Sequence, residues 1–166
     1  MHDRLSAGQD GKARGGVTKA PGARTGGTMK TIIMTIKRRH LRNMELGIKP
    51  YELRKTVPRV KDGEKCLVLL CESGSGGEIA AEFVMDGWRD MTEAAPGKLA
   101  RLAAITAAEA DGYRRKGRGK LYGWCVTRFR RYPVAGRPTH INDIGLSRPP
   151  QSWQYVRVPY GDMVID

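Results

Sequence analysis

Gly47-Ile48-Lys49-Pro50-Tyr51-Glu52-Leu53-Arg54-Lys55 puts a turn glycine, cations, one carboxylate and an aromatic ring within the length of a short strand. In an extended chain, successive side chains alternate between two faces. Tyr51 and Leu53 therefore share one face, and Pro50, Glu52 and Arg54 share the other. Glu52 and Arg54 become neighbours. Gly47 frees the backbone just before the strand, so the Lys49 ammonium can approach the Glu52 carboxylate from the side. A carboxylate held between two cations is equipment for a binding pocket.

The spacing Gly-x-Lys-x-x-Glu-x-Arg in this stretch resembles the signature of the ASCH domain, a family of the PUA-like superfamily of RNA-associated β-barrels. Upstream, Met34-Thr35-Ile36-Lys37 followed by a short helical stretch from Leu41 to Leu46 is similar to how such domains begin. Downstream, the order also agrees. It runs through a hydrophobic strand at Lys65 to Cys71, an Ala/Glu-rich strand at Glu78 to Val84, a helix at Glu109 to Tyr113 and a strand at Tyr122 to Val126. The resemblance spans about residues 31 to 132, and Pro149-Pro150-Gln151-Ser152-Trp153 is similar to the C-terminal extension of some phage-associated members. It implies a mainly β, α+β fold: a small antiparallel barrel of five or six strands, flanked by short helices. Lys37, Lys49, Glu52 and Arg54 would then converge at its mouth.

Composition agrees with a single domain. At 166 residues and 40% hydrophobic, the chain suits one core rather than two. Residues 1–28 hold seven glycines and no Phe, Tyr or Trp. Arg4, Lys12, Arg14, Lys19 and Arg24 are scattered among them, which reads as a disordered basic leader. Residues 29–166 then form the domain, with a C-terminal extension from about residue 137, and Met29 is a candidate natural start. Thirty Lys and Arg against 17 Asp and Glu give a net charge of +13, so the natural partner is a polyanion. A membrane span is not expected, because no apolar run approaches the roughly 20 residues a helix needs to cross. The N-terminus also lacks the apolar segment of a secretory signal, and a cytoplasmic protein is expected.

Cys66 and Cys71 lie five apart on one strand and face opposite ways. His2, His40 and His140 show no ligand spacing, so neither a metal nor another cofactor is expected. Ser73-Gly74-Ser75-Gly76-Gly77 lacks the Lys-Ser/Thr ending of a phosphate loop and precedes a strand, which makes it a hairpin turn. Glu82 reads as a solvent-facing strand residue; pointing inward, it would need a cation such as Lys37, Lys49 or Arg54. Thr106 to Glu109 fits a capping box, a structural reason for that acid, although Tyr113 one turn later faces the same way.

Between Tyr113 and Arg131 eight Lys or Arg residues and no acid alternate with Tyr113, Tyr122, Trp124 and Phe129. Cations neutralise phosphates and aromatic faces stack on unpaired bases, so single-stranded RNA, an extruded base or another nucleotide-like ligand is expected. In that reading Lys49 and Arg54 meet a phosphate or base edge, and Glu52 orients them or accepts an exocyclic amine. Lys37, Tyr51, Tyr113, Trp124 and Trp153 are candidates to complete the site. Such an RNA-binding module includes regulatory ones. The family resemblance also implies a rival: hydrolysis of RNA, or of the acyl group of a modified cytidine. There a lysine at the position of Lys49 activates a threonine three residues on. Here that residue is Glu52, which leaves Glu52 or Glu109 to activate a water instead.

Overall fold

The β-branched run after Met29 forms β1 (Lys30–Ile36), and the chain turns at once into α1 (Arg38–Glu45). The computed structural model describes residues 29–61, 63–115 and 119–157, so the expected leader lies outside the described residues. Leu41 and Met44, one turn apart, bury the inner side of α1. Gly47 takes a left-handed backbone (φ +71°) beyond the helix end, donating to the Met44 carbonyl, and so releases the chain into β2 (Tyr51–Arg54). Then come β3 (Cys66–Glu72), β4 (Ile79–Asp90), α2 (Pro96–Ala103), α3 (Ala107–Arg115), β5 (Tyr122–Arg131), a 3-10 turn (Ile141–Ile144) and β6 (Trp153–Val156). Proline opens α2 in its first turn, where its missing N–H costs no hydrogen bond.

The six strands make one mixed sheet in the order β2-β5-β4-β3-β1-β6, curled into a half-barrel. Four of its five pairings are antiparallel, whereas β1 and β3 run parallel. That exception follows from the crossover through α1 and β2, which returns the chain beside β1 in the same direction. Side chains link the two edge strands across the seam. Arg54 Nη1 on β2 donates to Ser152 Oγ (3.1 Å), and Trp153 Nε1 donates to Thr56 Oγ1 (3.1 Å). Closure therefore depends on a few polar contacts rather than on a continuous ladder.

β3 is buried on both faces, as its unbroken apolar sequence requires. Cys66, Val68 and Leu70 face the barrel interior with Ile32, Met34, Phe83 and Trp124. Leu67, Leu69 and Cys71 face the other way, under Ile141 and Ile144 of the 3-10 turn. The two cysteines thus point apart as expected, and burial pushes the Cys66 thiol up to about 11. The glycine run is the β3–β4 turn. Gly77 has a structural reason of its own, because a Cβ there would lie 2.7 Å from the Ile141 side chain.

Glu82 corrects the sequence reading. It is 2% exposed rather than solvent-facing. Its partner is none of the cations proposed: Arg137 Nε donates to its Oε2 at 2.8 Å, and so does the Tyr132 hydroxyl at 2.9 Å. Burial and the Glu82 charge together push the Tyr132 phenol pKa up, so that hydroxyl remains a donor. Among the described residues no helix is long and apolar enough to cross a membrane.

Candidate functional site

Where β1 ends and α1 begins, the chain passes beside β2, and α3 packs across from them. Together they enclose a cleft of about 490 Å³. β1 and α1 supply Thr35, Lys37, Arg39 and His40; β2 and its approach supply Lys49, Glu52, Arg54 and Lys55; and α3 supplies Glu109 and Tyr113. Five cations and two carboxylates therefore line one hollow.

The motif occupies the floor. Lys49 is 3% and Glu52 7% exposed, with Lys49 Nζ 3.4 Å from Glu52 Oε2 and Arg54 Nη2 3.0 Å from Glu52 Oε1. Alternation on β2 is what brings Glu52 and Arg54 together, and the bend at Gly47 brings Lys49 alongside. Lys49 Nζ also donates to the carbonyl of Ala103, the last residue of α2, where the helix dipole favours a cation. Burial nonetheless lowers the Lys49 pKa, and Glu52 offsets only part of the shift. The Lys49–Glu52 contact is an ion pair without hydrogen-bond geometry. Glu52 Oε2, Arg54 Nε and His40 Nδ1 are thus buried without a hydrogen-bond partner among the described residues. Of these, Glu52 Oε2 still faces the Lys49 ammonium, so its charge is compensated although no hydrogen bond forms.

His40 lines this cleft half-buried. Burial first, and then the Lys49 charge, lower its pKa to about 4, so the ring is neutral at physiological pH. Its folded pKa lies below the unfolded value of about 6.5, so the unfolded chain takes up the proton first on acidification. Stability should fall as pH drops from about 6.5 toward about 4, and this contribution stays constant at higher pH. Solvent screening of a half-exposed ring limits the effect to about 1–2 kcal/mol. Urea denaturation at about pH 7 and about pH 5 should show a smaller acid-induced loss in His40→Asn than in the native chain. Equal losses would contradict the assignment.

The structure gathers Lys37, Lys49, Glu52, Arg54, Glu109 and Tyr113 into the cleft and leaves three other candidates outside it. Tyr51 lies on the opposite face of β2, with the Arg89 guanidinium carbon 5.5 Å from its ring centre. Trp124, expected to stack on a base, is 0% exposed in the core, its Nε1 donating to the Thr56 carbonyl at 3.1 Å. Trp153 packs edge-on against Trp124 and Tyr155 at the seam. Tyr122 and Phe129 also pack against the core, so the cation-rich run does not present a platform of stacking rings. Arg39 and Lys55 are cleft residues that the sequence reading passed over.

Glu109 has the structural role expected of it. Its Oε2 accepts the Thr106 backbone N–H at 2.9 Å, and its own N–H donates to Thr106 Oγ1 at 3.2 Å, completing the capping box. Tyr113 closes the opposite wall, its phenol pKa raised by burial and by the Glu52 charge. Among the described residues no group of three or more His, Cys, Asp or Glu is placed to hold a metal ion.

By sequence, no family model and no curated protein matches the chain. By structure, it is similar to the crystal structure of ASCH from Zymomonas mobilis. The TM-score is 0.60 at 14% identity, covering 77% of this chain and 88% of that one. The fold is that of the ASCH domain. A tyrosine-to-phenylalanine variant of the same Zymomonas protein superimposes at a TM-score of 0.58 and 14% identity, over 77% of this chain and 91% of the other. Within this ASCH fold Lys49, Glu52 and Arg54 of the Gly-x-Lys-x-x-Glu-x-Arg stretch line the cleft.

Proposed function

We propose that the chain is an RNA-binding module whose cleft receives one nucleotide of a single strand. The observation that carries this reading is the Glu52 carboxylate on the cleft floor, ion-paired to Lys49 and Arg54 beneath the more exposed Lys37, Arg39 and Lys55. A carboxylate acceptor and a guanidinium donor on one floor suit the edge of a nucleobase. A volume of about 490 Å³ falls in the range of pockets that hold small ligands. Because Glu52 already neutralises much of the charge of Lys49 and Arg54, phosphate contact passes to the more exposed cations at the rim.

Lys37→Ala and Lys55→Ala should each weaken binding of a short single-stranded oligoribonucleotide by about threefold to tenfold at low salt. Each should reduce the slope of log affinity against log salt by about one, with an unchanged melting temperature. Fluorescence anisotropy across a salt series checks this. Affinity that is flat in salt would sink the reading.

A second reading, hydrolysis of RNA or of an acylated cytidine, has one observation behind it. The lysine that the resemblance assigns to nucleophile activation is buried, with a lowered pKa, beside a carboxylate. Glu109 is engaged by its cap and by Arg39, which leaves Glu52 as the base for a water. Turnover of either substrate that is lost in Glu52→Gln, on protein verified as folded, would establish that activity. No turnover in the native chain would remove it.

A further inference from the structure

Across the mouth of the cleft, Arg39 of α1 meets Glu109 of α3 in a two-pronged contact. Nη1 donates to Oε2 at 3.1 Å and Nη2 donates to Oε1. The two halves are anchored unequally. Glu109 is fixed by Thr106, whose backbone N–H and hydroxyl lie 2.9 and 3.1 Å from Oε2. Among the described residues the Arg39 guanidinium donates to Glu109 alone, and its side chain is 46% exposed against 32% for Glu109. Lys37 and Lys55 line the same mouth, with no carboxylate paired to either among the described residues.

We propose that Lys37, Arg39 and Lys55 form a phosphodiester subsite at the mouth of the cleft, and that Glu109 holds Arg39 until a phosphate displaces it. The proposal rests on the RNA reading and adds to it both a residue and a competition. A partly exposed ion pair contributes little to stability, so exchange is cheap. The planar guanidinium fork donates to two phosphate oxygens in the same two-pronged way as to a carboxylate. Once released, Glu109 is not stranded: it keeps its bonds to Thr106 and sits in the first turn of α3, where the helix dipole favours negative charge.

The test compares the native chain, Glu109→Gln, Arg39→Ala and the double variant for anisotropy-measured affinity toward a short single-stranded oligoribonucleotide. Glutamine also serves in a capping box, so Glu109→Gln should keep the fold while tightening binding about threefold to tenfold. Arg39→Ala should weaken binding, and in its background Glu109→Gln should bring no gain. A gain that persists without Arg39 would overturn the exchange, because it would reflect only the loss of a negative charge. Inorganic phosphate, as a separate probe at constant ionic strength, should displace the oligoribonucleotide at a lower concentration from Glu109→Gln than from the native chain; phosphate that displaces it from neither would overturn the assignment of this subsite to phosphate. If binding depends on Lys37 and Lys55 but is indifferent to Glu109→Gln, the exchange fails and the RNA reading stands. Absence of binding by all four proteins takes both down.

Discussion

Glu52→Ala is expected to lower the unfolding free energy by about 3–5 kcal/mol, because it leaves two cations of the cleft floor without their counter-charge. Lys49 is 3% exposed and the Arg54 side chain 15%, so water can do little for the first and only part of the work for the second. The loss should depend on pH in a defined direction. Burial has already lowered the Lys49 pKa, and removing Glu52 lowers it further, so the folded variant binds fewer protons than the unfolded chain over a wider range below 10.5. Stability of the variant therefore recovers as pH rises toward that value, and its deficit relative to the native chain narrows. Urea denaturation followed by tryptophan fluorescence at about pH 7 and about pH 9.5 measures both effects. A deficit below about 1 kcal/mol that does not change with pH would mean the carboxylate is not clamped.

Arg137→Ala should be comparably damaging, by about 3–5 kcal/mol, while leaving RNA affinity unchanged. It strands Glu82, 2% exposed, with the Tyr132 hydroxyl as its one remaining partner among the described residues. Replacing both charges together, in Glu82→Met with Arg137→Met, should recover most of the loss, because an apolar pair of similar size incurs no desolvation cost. A double-mutant cycle by chemical denaturation reads the coupling. Additive single losses would contradict a direct buried pair. A fall in RNA affinity with stability intact would instead place this cluster in the binding site.

The motif strand was legible because two short-range rules fix it. Alternation places Glu52 beside Arg54, and a left-handed glycine after a helix turns Lys49 toward them. The strand buried on both faces was legible at Cys66–Glu72 for a similar reason, since an unbroken apolar run leaves no face for water. Pairing between distant segments was not legible. Trp124 stands among cations in sequence, yet β5 lies between β2 and β4, and that interior position decides its burial. The cation for Glu82 comes from 55 residues away, out of a segment without periodicity. Arg39 and His40 reach the cleft because Leu41 and Met44 bury one side of α1, and the direction in which that helix docks is set by the barrel, not by its own residues.

Arg54 shows the limit of reading a site by charge. Besides its pair with Glu52 it donates to the Thr35 carbonyl (3.2 Å) and to Ser152 Oγ, and so helps close the barrel seam. Rim residues, not Arg54, are therefore the cleaner probes of binding.

The most direct test is a crystal structure of the chain with a short single-stranded oligoribonucleotide. One base is predicted in the cleft, its edge within hydrogen-bonding distance of the Glu52 carboxylate or the Arg54 guanidinium, with the adjoining phosphate at Lys37 and Lys55. A strand bound elsewhere, such as along the cations of β5, with the cleft left unoccupied, would contradict it.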